Sequence, residues 1–218
     1  MNTSIKVGIL GATGMVGQKY LSLLANHPWF EVTFLAASPN SAGKKYKEAI
    51  AGRWHMRTPL PTKFENLMVE DASNVDKAIG QCQLVFSAVE MDKQSILAVE
   101  AAYAAKGFAV VSNNSAYRLT PDVPVMIPEI NPEHLNIIPA QQKGRGWSKG
   151  FLVVKPNCSI QSYMIPIYAL IKAGYKIDKM ILTTLQAVSG AGYPGPASID
   201  LIDNIIPYIG GEEEKSEV

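Results

Sequence analysis

Short β-branched runs alternate with helical stripes along the first half of the chain. Ile5–Leu10 (IKVGIL) follows three polar residues and ends at a glycine, which predicts a strand. Residues 15–25 repeat apolar side chains at helical spacing and predict a helix. Residues 31–37 and 84–89 read as further strands, 94–105 as a helix, and 108–112 as another strand. Strands alternating with helices predict a parallel sheet covered on both faces, a doubly wound α/β fold. Residues 42–63 keep neither period and read as a long loop holding a short helix or strand. Residues 144–150 (GRGWSKG) are basic and turn-rich, as a hinge or surface loop would be.

The pattern resumes with a strand at residues 151–154, then Cys158, then an apolar helical stretch over 159–173. Pro166 falls inside that stretch and is expected to kink the helix or reset its start. A long strand over 179–188 comes next, then the turn SGAGYPGP, a helical pattern over 197–207 and the acidic tail GGEEEKSEV. The expected division is a dinucleotide-binding domain over 1–150 and the first part of a second, α+β domain over 151–218.

Composition narrows the function. The 218 residues are 47% hydrophobic and carry a net charge of +1, enough apolar material for a substantial core. Charge this balanced gives no reason to expect nucleic acid or an anionic membrane as partner. No run approaches the roughly 20 apolar residues that span a bilayer. The first residues lack the basic and apolar regions of a secretory signal. Two cysteines and three histidines make neither a disulfide framework nor a metal cluster, so a cytoplasmic, reduced protein without metal is expected.

The segment GILGATGMVGQKY sets Gly8, Gly11, Gly14 and Gly17 between an apolar strand and an amphipathic helix. In that context Gly11 suits a tight turn, Gly14 a close approach to a pyrophosphate, and Gly17 close helix–strand packing. The loop Gly11, Ala12, Thr13, Gly14, Met15 and Val16 would then hold a dinucleotide. About 20 residues on, an NAD site usually presents a carboxylate to the ribose. Here Ser38, Ser41, Lys44 and Lys45 occupy the region, without any Asp or Glu from 38 to 45. Hydroxyls and lysines suit a 2′-phosphate, so NADP is favoured over NAD. A solvated Ser/Lys loop is the plainer alternative. Ser87 and Ala88 close another strand, at the sheet edge where such ligands bind.

KPNCSIQ places Cys158 between a strand and a helix pattern. A thiol at a helix start meets amides and a dipole that favour its anionic, reactive form. Asn157 and the amides near Ser159 and Ile160 suit an oxyanion formed by attack on a carbonyl. Composition alone would make Cys158 a small buried hydrophobe. Cys82 reads as core, His134 as structural, and His27 and His55 carry no supporting context.

The segments GILGATGMVG, SNNSAYR, IPEIN, KPNCSIQ, LQAVSGAG and GGEEEK resemble, in order and spacing, the aspartate-β-semialdehyde dehydrogenase family. The archaeal and fungal branch is the most similar, and the likeness runs along the whole chain. It implies NADPH-dependent reduction of L-aspartyl-4-phosphate through a cysteine thioester, in lysine, threonine and methionine biosynthesis. By resemblance, Cys158 is the nucleophile, Asn157 orients the substrate and Gln186 holds the acyl group. Arg118 would grip the phosphate, and Glu212 and Lys215 would meet the substrate's amino group and its phosphate or carboxylate. Asn113, Ser189 and Gly190 would join the cofactor side. The family is dimeric or tetrameric, which implies a homo-oligomer acting on a small molecule.

The family also pairs its cysteine with a histidine well beyond the acidic tail, together with a substrate-binding arginine. The last histidine here is His134. The expectation is a C-terminally truncated chain with an incomplete second domain, inactive alone, of low stability or obligatorily associated through an exposed strand edge and apolar face. A non-catalytic NADP-binding or partner-binding short form is the alternative from another class. Related reductases of N-acetylglutamyl phosphate or malonyl-coenzyme A are the enzymatic ones.

Overall fold

The computed structural model describes residues 4–191, 195 and 199–207. Six parallel strands form one sheet: β1 (Ile5–Leu10), β2 (Phe30–Ala37), β3 (Val69–Asp71), β4 (Leu84–Ser87), β5 (Ala109–Ser112) and β6 (Phe151–Val154). Their order across the sheet is β3-β2-β1-β4-β5-β6. The chain winds outward from β1 in one direction and then, from β4, in the other. Loops at the carboxyl ends of β1 and β4 therefore diverge, leaving the crevice in which this fold takes its ligands.

Alternation along β1 fills both faces, as a doubly covered sheet requires. Val7 and Ile9 join a core with Leu21, Leu24, Tyr46 and Phe64. These come from α1 (Met15–Leu24), α2 (Tyr46–Ala49) and α3 (Thr62–Glu65). Leu10, Val85 and Val110 join the other core, with Val99 and Tyr103 from α4 (Lys93–Ala105). Asp92 caps α4 by accepting from Ser95 N at 3.0 Å.

Residues 42–63 hold the short α2 and the start of α3. Residues 144–150 are only partly loop. A helix absent from the sequence reading, α5 (Ile138–Arg145), runs into them and ends at Gly146, whose φ of +69° is the left-handed cap that glycine permits. Pro139 lies in the first turn of α5, where no helical donor is lost. Buried Gln141 stitches α5 to β6: its amide donates to Leu152 O at 2.9 Å and accepts from Leu152 N at 2.8 Å. Arg145 forks onto Asp122 at 2.5 and 2.7 Å, between the rings of Tyr117 and Trp147.

The chain divides into two compact units, 1–125 with 133–155, and 126–132 with 156–218. The second unit holds α6 (Cys158–Lys172), which runs unbroken through Pro166; its start is not reset. Two expected elements are corrected here. The strand over 179–188 is absent: the residues are irregular up to a 3-10 turn at Val188–Ala191. Apolar and β-branched residues make a strand only where a neighbour supplies the ladder, and among the described residues none pairs with these. The helix over 197–207 reduces, among its described residues, to a 3-10 turn at Ile199–Leu201, and Asp203 at φ +51° breaks any continuation. No described helix is long and apolar enough to cross a membrane. No described group of His, Cys, Asp and Glu could hold a metal ion.

Candidate active site

In the first unit the loop from β1 to α1 is fixed by its glycines. Gly11 has φ +81°, and a methyl group there would lie 2.2 Å from Ala88 O. At Gly17 a methyl group would lie 2.2 Å from Gly11 O, so the helix could not approach the strand. Gly14 differs: a methyl group would meet only Gly11 O, at an ordinary 3.5 Å. The protein's own packing does not demand glycine at 14. A ligand lying against this backbone would. Gly14 is also the N-cap of α1 and makes no side-chain cap, which leaves the first-turn amides of Met15 and Val16 to an anion. The cradle fits a dinucleotide pyrophosphate.

Gly11 N and Ala12 N both donate to Ala36 O of β2, at 2.8 and 2.9 Å. Thr13 is half-buried and Val16 exposed. After β2, Ser41 N donates to Ser38 O at 2.9 Å and closes a turn in which Ser38 is exposed and Ser41 buried. Lys44, also exposed, donates to Asn40 O at 2.8 Å. This hydroxyl-and-lysine rim has no carboxylate.

At the ends of β4 and β5, Asn113 N donates to Ser87 O at 2.8 Å. The Ser87 side chain is sealed, and its hydroxyl lies 3.4 Å from the Asn114 amide; Ala88 is half-buried. Below them lies Glu100, a fully buried carboxyl that accepts from Ser112 at 2.6 Å and from Asn114 at 2.9 Å. Burial drives its pKa upward, against the downward pull of those hydrogen bonds. Half-buried Arg118 donates from Nε to Lys155 O at 3.0 Å and from Nη2 to Asn113 O at 3.5 Å. It ties together the chain leaving β5 and the chain leaving β6.

The second unit carries the cysteine. Cys158 is exposed and is the first residue of α6. Buried Asn157 caps the helix: its Oδ1 accepts from Ser159 N at 3.1 Å and from the Cys158 thiol at 3.2 Å. Gln186 sits in an otherwise exposed stretch, yet it is half-buried and donates to Ser159 Oγ at 3.0 Å. Asn157, Cys158, Ser159 and Gln186 thus meet at one helical turn. Ser189 and Gly190 lie exposed in the following 3-10 turn. Glu212 and Lys215 fall outside the described residues.

Cys82 gives the contrast: buried beneath β4, its thiol is pushed up to about 12 by desolvation. His134 is exposed in a 3-10 turn at Pro132–Ile137. Three residues that shape these sites escaped the sequence reading: Gln18, Tyr46 and Glu100. Gln18 and Glu100 share a signal, a polar side chain on the apolar stripe of its helix. Gln18 stands in line with Leu21, and Glu100 with Tyr103 and Ala104.

The pattern described as semialdehyde dehydrogenase, NAD binding domain, matches residues 6–138, and that described as semialdehyde dehydrogenase, dimerisation domain, matches residues 167–218. Aspartate-semialdehyde dehydrogenase of Methanothermobacter thermautotrophicus is 45% identical over 98% of the chain and 59% of its own length. The Cryptococcus neoformans enzyme of that name is 43% identical over 98% of the chain and 57% of its own length. The solved Candida albicans aspartate semialdehyde dehydrogenase with NADP superposes with a TM-score of 0.80, at 38% identity, over 98% of this chain and 58% of that one. The chain therefore spans less than two thirds of the length of the relatives it matches, and it belongs to the semialdehyde dehydrogenase family.

Proposed function

We propose that the chain supplies the cofactor-binding unit and the nucleophilic cysteine of an NADP-dependent phosphorylating dehydrogenase that forms L-aspartate 4-semialdehyde from L-aspartyl-4-phosphate. The observation that carries this reading is the first turn of α6, where an exposed thiol is held by Asn157 and flanked by Gln186. The names of the 43–45% identical relatives supply the substrate class.

Residues 1–150 take the dinucleotide and residues 151–218 begin the substrate side. Gly11–Val16 hold the pyrophosphate, Ser38, Ser41 and Lys44 the 2′-phosphate, and the segments at Ser87–Ala88, Asn113 and Ser189–Gly190 the remainder. Lack of a carboxylate on the β2 rim supports NADP over NAD, as does the NADP of the Candida albicans structure. When bound, the cofactor supplies the hydride that converts a thioester to the aldehyde and returns the thiol.

Cys158 Sγ bonds to the acyl carbon as the acyl–phosphate bond breaks, and the thiol proton ends on the departing phosphate. Asn157 Oδ1 holds the sulfur in line by its contact with the thiol. With Ser159 N already donating to Asn157 Oδ1, it is the Ile160 amide at the start of α6 that would face the charge developing on the carbonyl oxygen. Gln186 steadies the acyl group, Arg118 the phosphate, and Glu212 and Lys215 the polar end of the substrate. The dimerisation pattern over 167–218 supports a homo-oligomer.

The test adds L-aspartate semialdehyde, phosphate and NADP⁺ to the chain, then reads NADPH absorbance and the mass of the Cys158 peptide. An acyl adduct on Cys158 with at most one NADPH per chain and no sustained turnover, both lost in Cys158→Ser with NADP⁺ binding intact, is the expected result. NADPH formed by Cys158→Ser at an unchanged rate overturns the reading. Tight NADP⁺ binding with no adduct favours a non-catalytic binding module or a fragment whose partner residues lie elsewhere.

A further inference from the structure

The glycine loop is held from behind by two side chains that belong to neither the glycine pattern nor the 2′-phosphate rim. Tyr46, the first residue of α2, is fully buried and donates its hydroxyl to Ala12 O at 2.8 Å. Burial raises its pKa well above the usual tyrosine value, so it remains a donor at any ordinary pH. Gln18, equally buried on α1, donates from Nε2 to Thr13 O at 3.0 Å and to Arg53 O at 2.7 Å. Its Oε1 accepts from His55 N at 2.8 Å. The amide therefore ties the glycine loop to the segment that follows α2.

The carbonyl oxygens of Ala12 and Thr13 are thus both bonded to side chains of the protein interior. A peptide unit is planar and trans, so its N–H points opposite to its C=O. Fixing Ala12 O toward Tyr46 turns Thr13 N–H away from the core. Fixing Thr13 O toward Gln18 sets the next plane, whose Gly14 N–H donates to Gly11 O at 3.1 Å. Two adjacent planes of a loop built on positive-φ glycine would otherwise be soft. Tyr46 also adjoins the other recognition loop, following residues 38–45 directly, and Gln18 holds residues 53 and 55 on the far side of α2.

We propose that Tyr46 and Gln18 are positioning residues that preset the peptide planes of the glycine loop for the dinucleotide pyrophosphate and tie that loop to the region recognising the 2′-phosphate. This rests on the cofactor reading above and deepens it. It implies that the anchors matter for ligands bearing a pyrophosphate and much less for ligands lacking one. A residue needed only for stability would affect both alike.

The experiment titrates NADP⁺ and adenosine 2′-monophosphate, which has no pyrophosphate, against the wild-type chain, Tyr46→Phe and Gln18→Met. Circular dichroism verifies the folded state. Tyr46→Phe keeps the buried ring and removes only the hydroxyl, so it guards against the case in which Gln18→Met fails to fold. In each folded variant NADP⁺ should bind about tenfold more weakly, the effect of one lost hydrogen bond to a glycine-loop carbonyl at a preorganised site, while the monophosphate stays within about twofold. Equal weakening of both ligands overturns the proposal, as does unchanged NADP⁺ affinity. A wild-type chain that binds neither ligand overturns the cofactor reading and this inference together, whereas a failure confined to the variants overturns the inference alone.

Discussion

Leu35 in β2 and Ile181 in the stretch after α6 are both large aliphatic residues in β-branched surroundings, yet Leu35 is fully buried and Ile181 is 97% exposed. In the first unit every strand has a parallel neighbour, and helices cover both faces. In the second unit Leu182, Leu185 and Ile202 stand exposed alongside Ile181. An apolar pattern states what a segment can bury. Whether it becomes a strand depends on a partner lying beside it. The cofactor unit supplies its own partners, whereas the described part of the cysteine-bearing unit depends on one turn of α6 for its order around the site.

Substitutions should separate the two regions. The largest effect is expected for Leu35→Ala, which empties volume in a closed core and should cost about 2–5 kcal/mol in chemical denaturation. Gly17→Ala comes next, at about 1–3 kcal/mol, because its methyl group meets the backbone of Gly11 and Ala12. Gly14→Ala sharpens the contrast. It should leave the denaturation midpoint nearly unchanged while weakening NADP⁺ binding, since only the ligand needs that space.

Glu100→Gln should change stability in a pH-dependent way. The folded carboxyl has a pKa raised above its unfolded value, so its ionisation opposes folding as pH rises through the folded value. The variant should be the more stable at neutral pH and lose that advantage below the unfolded value, where both states hold the proton. Thermal denaturation across pH 4–8 would check it. The smallest effect is expected for Ile181→Asp, within about 0.5 kcal/mol, because nothing described packs over that side chain. A loss as large as that of Leu35→Ala would erase the contrast between the units.

Much of the first unit was legible because a parallel sheet writes its strands as uninterrupted apolar runs and its ligand loop as spaced glycines. Elements β1, α1, β2, α4 and β6 came through within a residue or two. Helix α5 was missed: it holds Pro139, harmless in a first turn, and its end overlaps the turn-rich segment that opens at Gly144. Strand β3 has three residues and no visible period. The strand over 179–188 failed for the opposite reason, a strand-like composition without a neighbour. At the candidate site, the cysteine, its cap and Gln186 were legible through motif order. The anchors Tyr46 and Gln18 were not, since their role lies in backbone carbonyls far away in sequence, which no local pattern reports.

Alkylation of the folded chain by iodoacetamide, followed by peptide mass, tests most directly whether Cys158 is presented for attack. Cys158 should be modified about 100-fold faster than Cys82, and Cys82 should catch up only when the protein is unfolded. Comparable rates in the folded chain, or a slower Cys158, would contradict the nucleophile reading.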